Sequence, residues 1–209
     1  MPTTTSTSTI VFFQRELITS LSRKVTILED ERSAIQDEID SNERVGASVR
    51  HAYELAGAAA HDVAKMDAHV KETEKITRLL LKLSTQLGRV ESALNALPPE
   101  PDTLCERRLL DERRMRLCAQ LSDARCLRDN TQRRGESVIS ALKQTLADDI
   151  VTDYHYFVQM KQKLLVDVKE IEEKLQLGRD QLTALEQSLE PESQPKLGLS
   201  ASAENILNS

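Results

Sequence analysis

The chain has 209 residues, 28 Lys and Arg against 34 Asp and Glu for a net charge of −6, only 3% aromatics and no Trp. A compact mixed domain of this length carries more aromatics and more turn residues than the 6 Gly and 6 Pro present here, and the acidic balance disfavours nonspecific nucleic-acid binding. With 39% hydrophobic and 30% charged residues, there is enough apolar side chain to line helical stripes, and too much for a fully disordered chain.

Residues 1–12 open with MPTTTSTST, a low-complexity lead without the apolar core of a signal peptide, expected to be disordered. Proline is absent between Pro2 and Pro98 and again between Pro101 and Pro191. Helices tolerate proline only near their starts, so two helical spans are expected, 13–97 and 102–189, with a hinge at 98–101. In the first span Leu21, Val25, Leu28, Ile35 and Ile39 keep a heptad register. Extending it puts Asn42 and Gly46 in the seam, where both weaken packing, and Ser41-Asn42 is expected to fray or kink. Val49, Tyr53, Ala56, Ala60 and Val63 continue it with smaller side chains, and a phase shift is expected between Val70 and Ile76. Ile76, Leu80, Leu83, Leu87, Val90, Leu94 and Leu97 then step at alternating intervals of four and three. That is a heptad seam, and a seam needs another helix to bury it.

At PPEPD the residue before proline is pushed out of the helical region. Thr103-Leu-Cys-Glu106 matches a capping box, with Asp102 as an alternative cap. The second span begins with Leu110, Leu117, Leu121 and Ala124 on one stripe, weakens through RDNTQRRGES, and recovers at Val138, Leu142, Leu146 and Ile150. From Phe157 it reads Met160, Leu164, Val168, Ile171, Leu175, Gly178, Leu182, Leu185 and Leu189, with a stutter at Met160-Leu164-Val168. Residues 191–209 read as a flexible tail, and nothing approaches the ~18 consecutive apolar residues of a membrane span. Strong and weak seams mirror each other about the hinge. The pattern is all-α, a long segmented antiparallel coiled coil, and it is satisfied equally by a hairpin within one chain and by two chains in a homodimer.

No catalytic arrangement stands out. His51, His61, His69 and His155 lack HExxH spacing, no phosphate-binding glycine loop occurs, and no enzyme activity, metal or cofactor is expected. KETEK and KEIEEK place carboxylates and lysines in i,i+3 and i,i+4 pairs on solvated faces. The three cysteines, Cys105, Cys118 and Cys126, lack CxxC spacing. They read as reduced thiols of a cytosolic protein, Cys118 lying beside the seam as a small hydrophobe. Nine arginines between Arg107 and Arg134 form either a solvated face balanced by Asp111, Glu112, Asp123 and Asp129, or a docking face for an acidic helix. In DYHYFVQMK, Phe157 belongs to the seam, while Tyr154 and Tyr156 either cover its edge or anchor a partner.

ELITSLSRKVTILEDERSAIQDEI, TRLLLKLSTQLGRVESALNAL and DYHYFVQMKQKLLVDVKEIEEKLQLGRDQLTALEQSL together resemble the second conserved domain of the Shroom proteins. The likeness is collinear from Glu16 to Leu189 and includes the Leu-Leu-Leu-x-Leu-Ser core, Arg-Val-Glu-Ser-Ala-Leu and Phe-Val-x-Met-Lys, with polar residues that a generic coiled coil does not demand. The resemblance implies that 13–190 is this domain within a longer scaffold, and that it forms an antiparallel homodimer. It further implies binding to the coiled coil of Rho-associated kinase at apical junctions, where the kinase drives actomyosin contraction and apical constriction. Actin is reached through other parts of such a scaffold. A generic tethering coiled coil is the alternative, and a membrane-surface helix is disfavoured by net acidity.

The seam residues expected to build the fold are Leu21, Leu28, Ile35, Ile76, Leu80, Leu83, Leu87, Val90, Leu94, Phe157, Leu164, Ile171, Leu175 and Leu182. Recognition must use positions between them. The expected docking residues are Arg78, Lys82, Thr85, Gln86, Arg89 and Ser92, with Tyr154 and Lys161 in support.

Overall fold

The structure, a computed structural model, describes residues 4–98 and 100–189. Four α-helices follow one another: α1 (Thr4–Leu55), α2 (Ala60–Ala96), α3 (Leu104–Thr145) and α4 (Asp148–Leu189), with a 3-10 turn at Pro101–Thr103. The all-α class is as expected, and no strand occurs among the described residues. Residues 1–3, Pro99 of the hinge and the tail from 190 onward lie outside them.

Two features differ from the sequence reading. Helix α1 already begins at Thr4, within the low-complexity lead. Each proline-free span is also broken once, so two expected helices become four. The first break closes on Gly57, whose φ of 81° lies in the left-handed region. Its N–H donates to Glu54 O at 3.1 Å and the Ala58 N–H to Tyr53 O at 3.2 Å, the paired bonds of a Schellman stop. The second break leaves Leu146 extended at ψ 157°. Helix α4 then starts with Asp148 and Asp149 in its first turn, where negative charge meets the positive end of the helix dipole.

The described residues divide into two compact units, 28–174 and the ends 4–27 with 175–189. In the end unit α1 and α4 run antiparallel. Gln14 Nε2 donates to Ser188 Oγ at 3.4 Å, and a Cβ on Gly178 would stand 3.1 Å from Val25 Cγ2. Leu21 and Leu182 are half-buried there and Leu175 fully.

In the larger unit α2 folds back on α3 about the hinge. Leu83, Val90, Leu117, Leu121 and Ala124 are buried between them, with Leu80, Leu87, Leu94 and Leu110 packed around. Each fully buried aliphatic is worth about 1.5–3 kcal/mol, which is what ties the seam to the fold. A second cluster draws on all four helices: Val49 and Tyr53, Val63 and Met66, Val138 and Leu142, and Val151, Tyr154 and Phe157. Leu164 and Ile171 are buried, while Leu28, Ile35 and Ile76 are half-buried.

The positions expected to be weak are close-contact sites. Helix α1 runs unbroken through Ser41-Asn42. Asn42 is buried and its Nδ2 donates to Phe157 O at 3.1 Å, while the Phe157 ring lies directly on Gly46, where a Cβ would come within 2.5 Å of Cζ. Thr131 and Gly135 are likewise buried seam positions of an unbroken α3. Cys118, expected beside the seam, is exposed, as are Cys105 and Cys126.

At the hinge Leu97 is extended, φ −71° and ψ 125°, as its following proline requires. The capping box does not form. Thr103 occupies the N-cap without a side-chain cap bond. Its hydroxyl, with one proton to donate, lies 2.8 Å from Pro98 O and 2.9 Å from Glu100 O. Arg107 Nη2 donates to Leu97 O at 2.9 Å, so side chains at the start of α3 satisfy the hinge carbonyls.

Candidate functional site

Residues 78, 82, 85, 86 and 89 recur at helical spacing, which puts them on one face of α2. Within the larger unit this face forms a wall of a groove of about 680 Å³ between α1, α2 and α4. Arg78, Lys82, Thr85, Gln86 and Arg89 line it from α2. Ile39 of α1, Leu81 of α2 and Leu165 and Val168 of α4 supply its apolar lining, and Gln36, Lys169 and Glu172 complete it. Five of the eight expected docking residues are thus gathered in one concavity. Ser92 is exposed farther along α2, outside the groove.

The cations of the groove differ in how firmly they are held. Arg78 grips Glu74, Nε at 3.1 Å and Nη2 at 3.0 Å. Lys169 pairs with Glu173 at 3.3 Å, whose Oε1 also accepts from Thr85 Oγ1 at 3.2 Å. Among the described residues no ion pair engages Lys82 or Arg89, and both are exposed. Those two charges are therefore available to an incoming carboxylate at little cost in broken pairs.

Lys161 is half-buried in an ion cluster joining three helices. Its Nζ meets Glu43 of α1 and, at 3.5 Å, Glu74 of α2, and it lies 5.7 Å from the centre of the Phe157 ring. Burial alone pushes the Glu74 carboxyl up, but the Arg78 hydrogen bond and the Lys161 charge more than offset it and hold the group below the usual carboxylate range. Tyr154 departs from the expectation of a partner anchor. It is 1% exposed, and its hydroxyl lies 2.7 Å from His69 Nδ1, so it is a core residue rather than part of a free face. Burial pushes its phenol well above the ordinary range. Tyr156 is the exposed tyrosine of that segment.

The α1 and α4 contributions were not foreseen from the sequence. Leu81 and Leu165 sit beside seam leucines in LLLKL and KLLVDV, and an apolar residue flanking a filled seam is the one signal that marked a second apolar face. Three arginines of this α3 stretch are paired locally, Arg108 with Glu112, Arg114 with Asp111 and Arg128 with Asp129, and Arg134 bridges to Glu72 of α2. That favours the solvated-face reading for this stretch. Among the described residues no group of His, Cys, Asp and Glu is placed to hold a metal ion, and no helix is long and apolar enough to cross a membrane.

The profile of the Apx/Shroom domain ASD2 matches residues 3–189. The chain is 35% identical over 174 residues to protein Shroom4 of Homo sapiens, an alignment covering 83% of this chain and 12% of that protein. It is 36% identical over 185 residues to protein Shroom2 of Rattus norvegicus, covering 86% and 12%. With protein Shroom of Drosophila melanogaster the identity is 32% over 174 residues, covering 83% and 11%. The chain therefore spans only about 12% of the length of the first two relatives. A match over nearly every residue, on a wholly helical framework, places the chain in the Apx/Shroom domain ASD2 family.

Proposed function

We propose that this chain is a cytoskeletal scaffold module, not an enzyme, that binds the coiled coil of Rho-associated kinase and concentrates the kinase at apical junctions to promote actomyosin contraction and apical constriction. The observation that carries the reading is the groove on α2. It combines an apolar lining of Ile39, Leu81, Leu165 and Val168 with two unpaired cations, Lys82 and Arg89. A coiled-coil helix presents an apolar stripe flanked by carboxylates, the complement of this surface. An antiparallel homodimer belongs to the same proposal, as does a place in the cytoplasm on the actin cytoskeleton, reached through other parts of a longer protein.

Rim charges contribute little, whereas a cation that both packs and pairs costs about 2 kcal/mol or more when truncated, roughly 30-fold in affinity. Lys82→Ala with Arg89→Ala is expected to lose capture of the kinase coiled coil while circular dichroism shows unchanged helicity. Wild-type affinity in that double variant rejects the groove as the docking site and moves attention to the unpaired arginines of α3. Failure of the intact wild-type chain to bind the kinase coiled coil at all supports the generic tether instead.

A further inference from the structure

N-terminal to the docking groove along α2, helices α2, α3 and α4 enclose a cavity of about 430 Å³. His69 stands in its wall, only 9% exposed, at a buried position where an aliphatic would normally sit. Its ring is pressed on α3 at Gly135, where a Cβ would come within 2.4 Å of Nε2, and its Nδ1 pairs with Tyr154 of α4. One imidazole thus touches both neighbouring helices. We propose that His69 is an acid-sensitive latch, holding α2 to α3 and α4 while neutral and loosening that junction when protonated.

A neutral imidazole has one donor and one acceptor, and the Tyr154 hydroxyl can serve either role at Nδ1. A charged ring is a donor at both nitrogens. Nε2 then carries a proton toward the closely packed Gly135 backbone, and the added charge stands at a junction that packs only around a neutral ring. The charges facing the ring give no net welcome to a cation. Glu72 on α2 would favour it, but Glu72 is already bridged at 2.9 Å by Arg134 of α3, and His155 of α4 adds further repulsion. Arg128 and Glu136 of α3 line the same cavity and oppose each other in sign. The cavity, with Thr73, Thr77 and Gln132 in its walls, gives water and protons a path to the ring.

Burial is the largest cause, and Arg134 and His155 add to it, so the folded-state pKa of His69 lies below its ordinary value. The opened state binds a proton near pH 6.5, the closed state only at lower pH, so stability is complete above about pH 6.5 and is lost as pH falls below it. In that window the ratio of opened to closed junction rises by up to about tenfold per pH unit.

The test uses the intact chain. An NMR titration from pH 8 to 5 should show the His69 imidazole protonating below the ordinary histidine value of about 6.5. Amide protection at 66–73 and 131–138, corrected for the intrinsic pH dependence of exchange, should fall as the pH drops from 7.5 to 5.5. His69→Gln should abolish that fall. The proposal is overturned if His69 protonates at or above the ordinary histidine value of about 6.5. It is equally overturned if protection at the junction has the same pH dependence in wild type and variant. Should His69→Gln not fold, the wild-type titration alone decides.

Discussion

The Phe157 ring rests on Gly46 and the His69 ring on Gly135, and in both places the missing methyl group is what lets a ring touch a helix backbone. An added Cβ would stand 2.5 Å and 2.4 Å from the nearest ring atoms respectively. No real contact is that short, so the ring or the helix must shift. Gly46→Ala and Gly135→Ala are each expected to destabilise by about 1–3 kcal/mol, the cost of overpacking a filled site. Gly88 is the control. It lies within α2 with nothing inside 4 Å of an added methyl group, so Gly88→Ala should stabilise by about 0.5–1 kcal/mol through the unfolded chain's entropy and helix propensity. Melting midpoints of the three variants check the contrast, and equal shifts would reject it. The same residues show where sequence reading stops. Asn42, Gly46, Thr131 and Gly135 each lie in the heptad register, yet residue type alone marked them as weak. The partners of Asn42, Gly46 and Gly135 come from helices more than 60 residues away in the chain, and no local pattern encodes those.

Among elements, the seam of α2 was legible as a contact face, because Leu83 and Val90 recur at heptad spacing and are buried, with Leu80, Leu87 and Leu94 packed around them. The hinge was legible through its prolines. The breaks at 56–59 and 146–147 were not, since neither contains proline and AGAAAHDVA carries the composition of a good helix. What stops α1 is one residue, Gly57, at φ 81°. A side chain there meets nothing within 4 Å, so its cost is purely conformational. Gly57→Ala is expected to destabilise by about 1–2 kcal/mol, the penalty of an L-residue in the left-handed region. Gly57→Asn should be milder, because Asn tolerates that region. A thermal melt that ranks Ala below Asn below Gly supports the assignment, and an unchanged melt for Gly57→Ala would mean that α1 simply continues. The capping box at Thr103 was misread for a different reason. Its backbone sits at φ −94° and ψ −2°, in the helical region rather than the extended conformation from which an N-cap oxygen accepts the first-turn N–H groups.

For the molecule as a whole, the open question in the sequence was whether the seams pair within one chain or between two. In the single chain α2 already finds α3, and Leu83, Val90, Leu117, Leu121 and Ala124 are buried without a second copy. An exchanged dimer would remake the same contacts and must first release the hinge carbonyls held by Thr103 and Arg107. A homodimer therefore gains most from seam residues the single chain leaves half-covered, such as Ile35, Leu80 and Leu87. Two substitutions separate the roles. Leu83→Asp places an unpaired charge in a filled seam, costs several kcal/mol, and should reduce helicity at every protein concentration. Leu87→Asp meets more solvent, so it should leave helicity largely intact and shift the mass measured by light scattering from dimer toward monomer. A wild-type mass that stays monomeric across a hundredfold concentration range removes the homodimer from the proposal and leaves the α2–α3 hairpin as the functional unit. Equal loss of helicity in both variants would instead show that the fold depends on Leu87 no less than on Leu83.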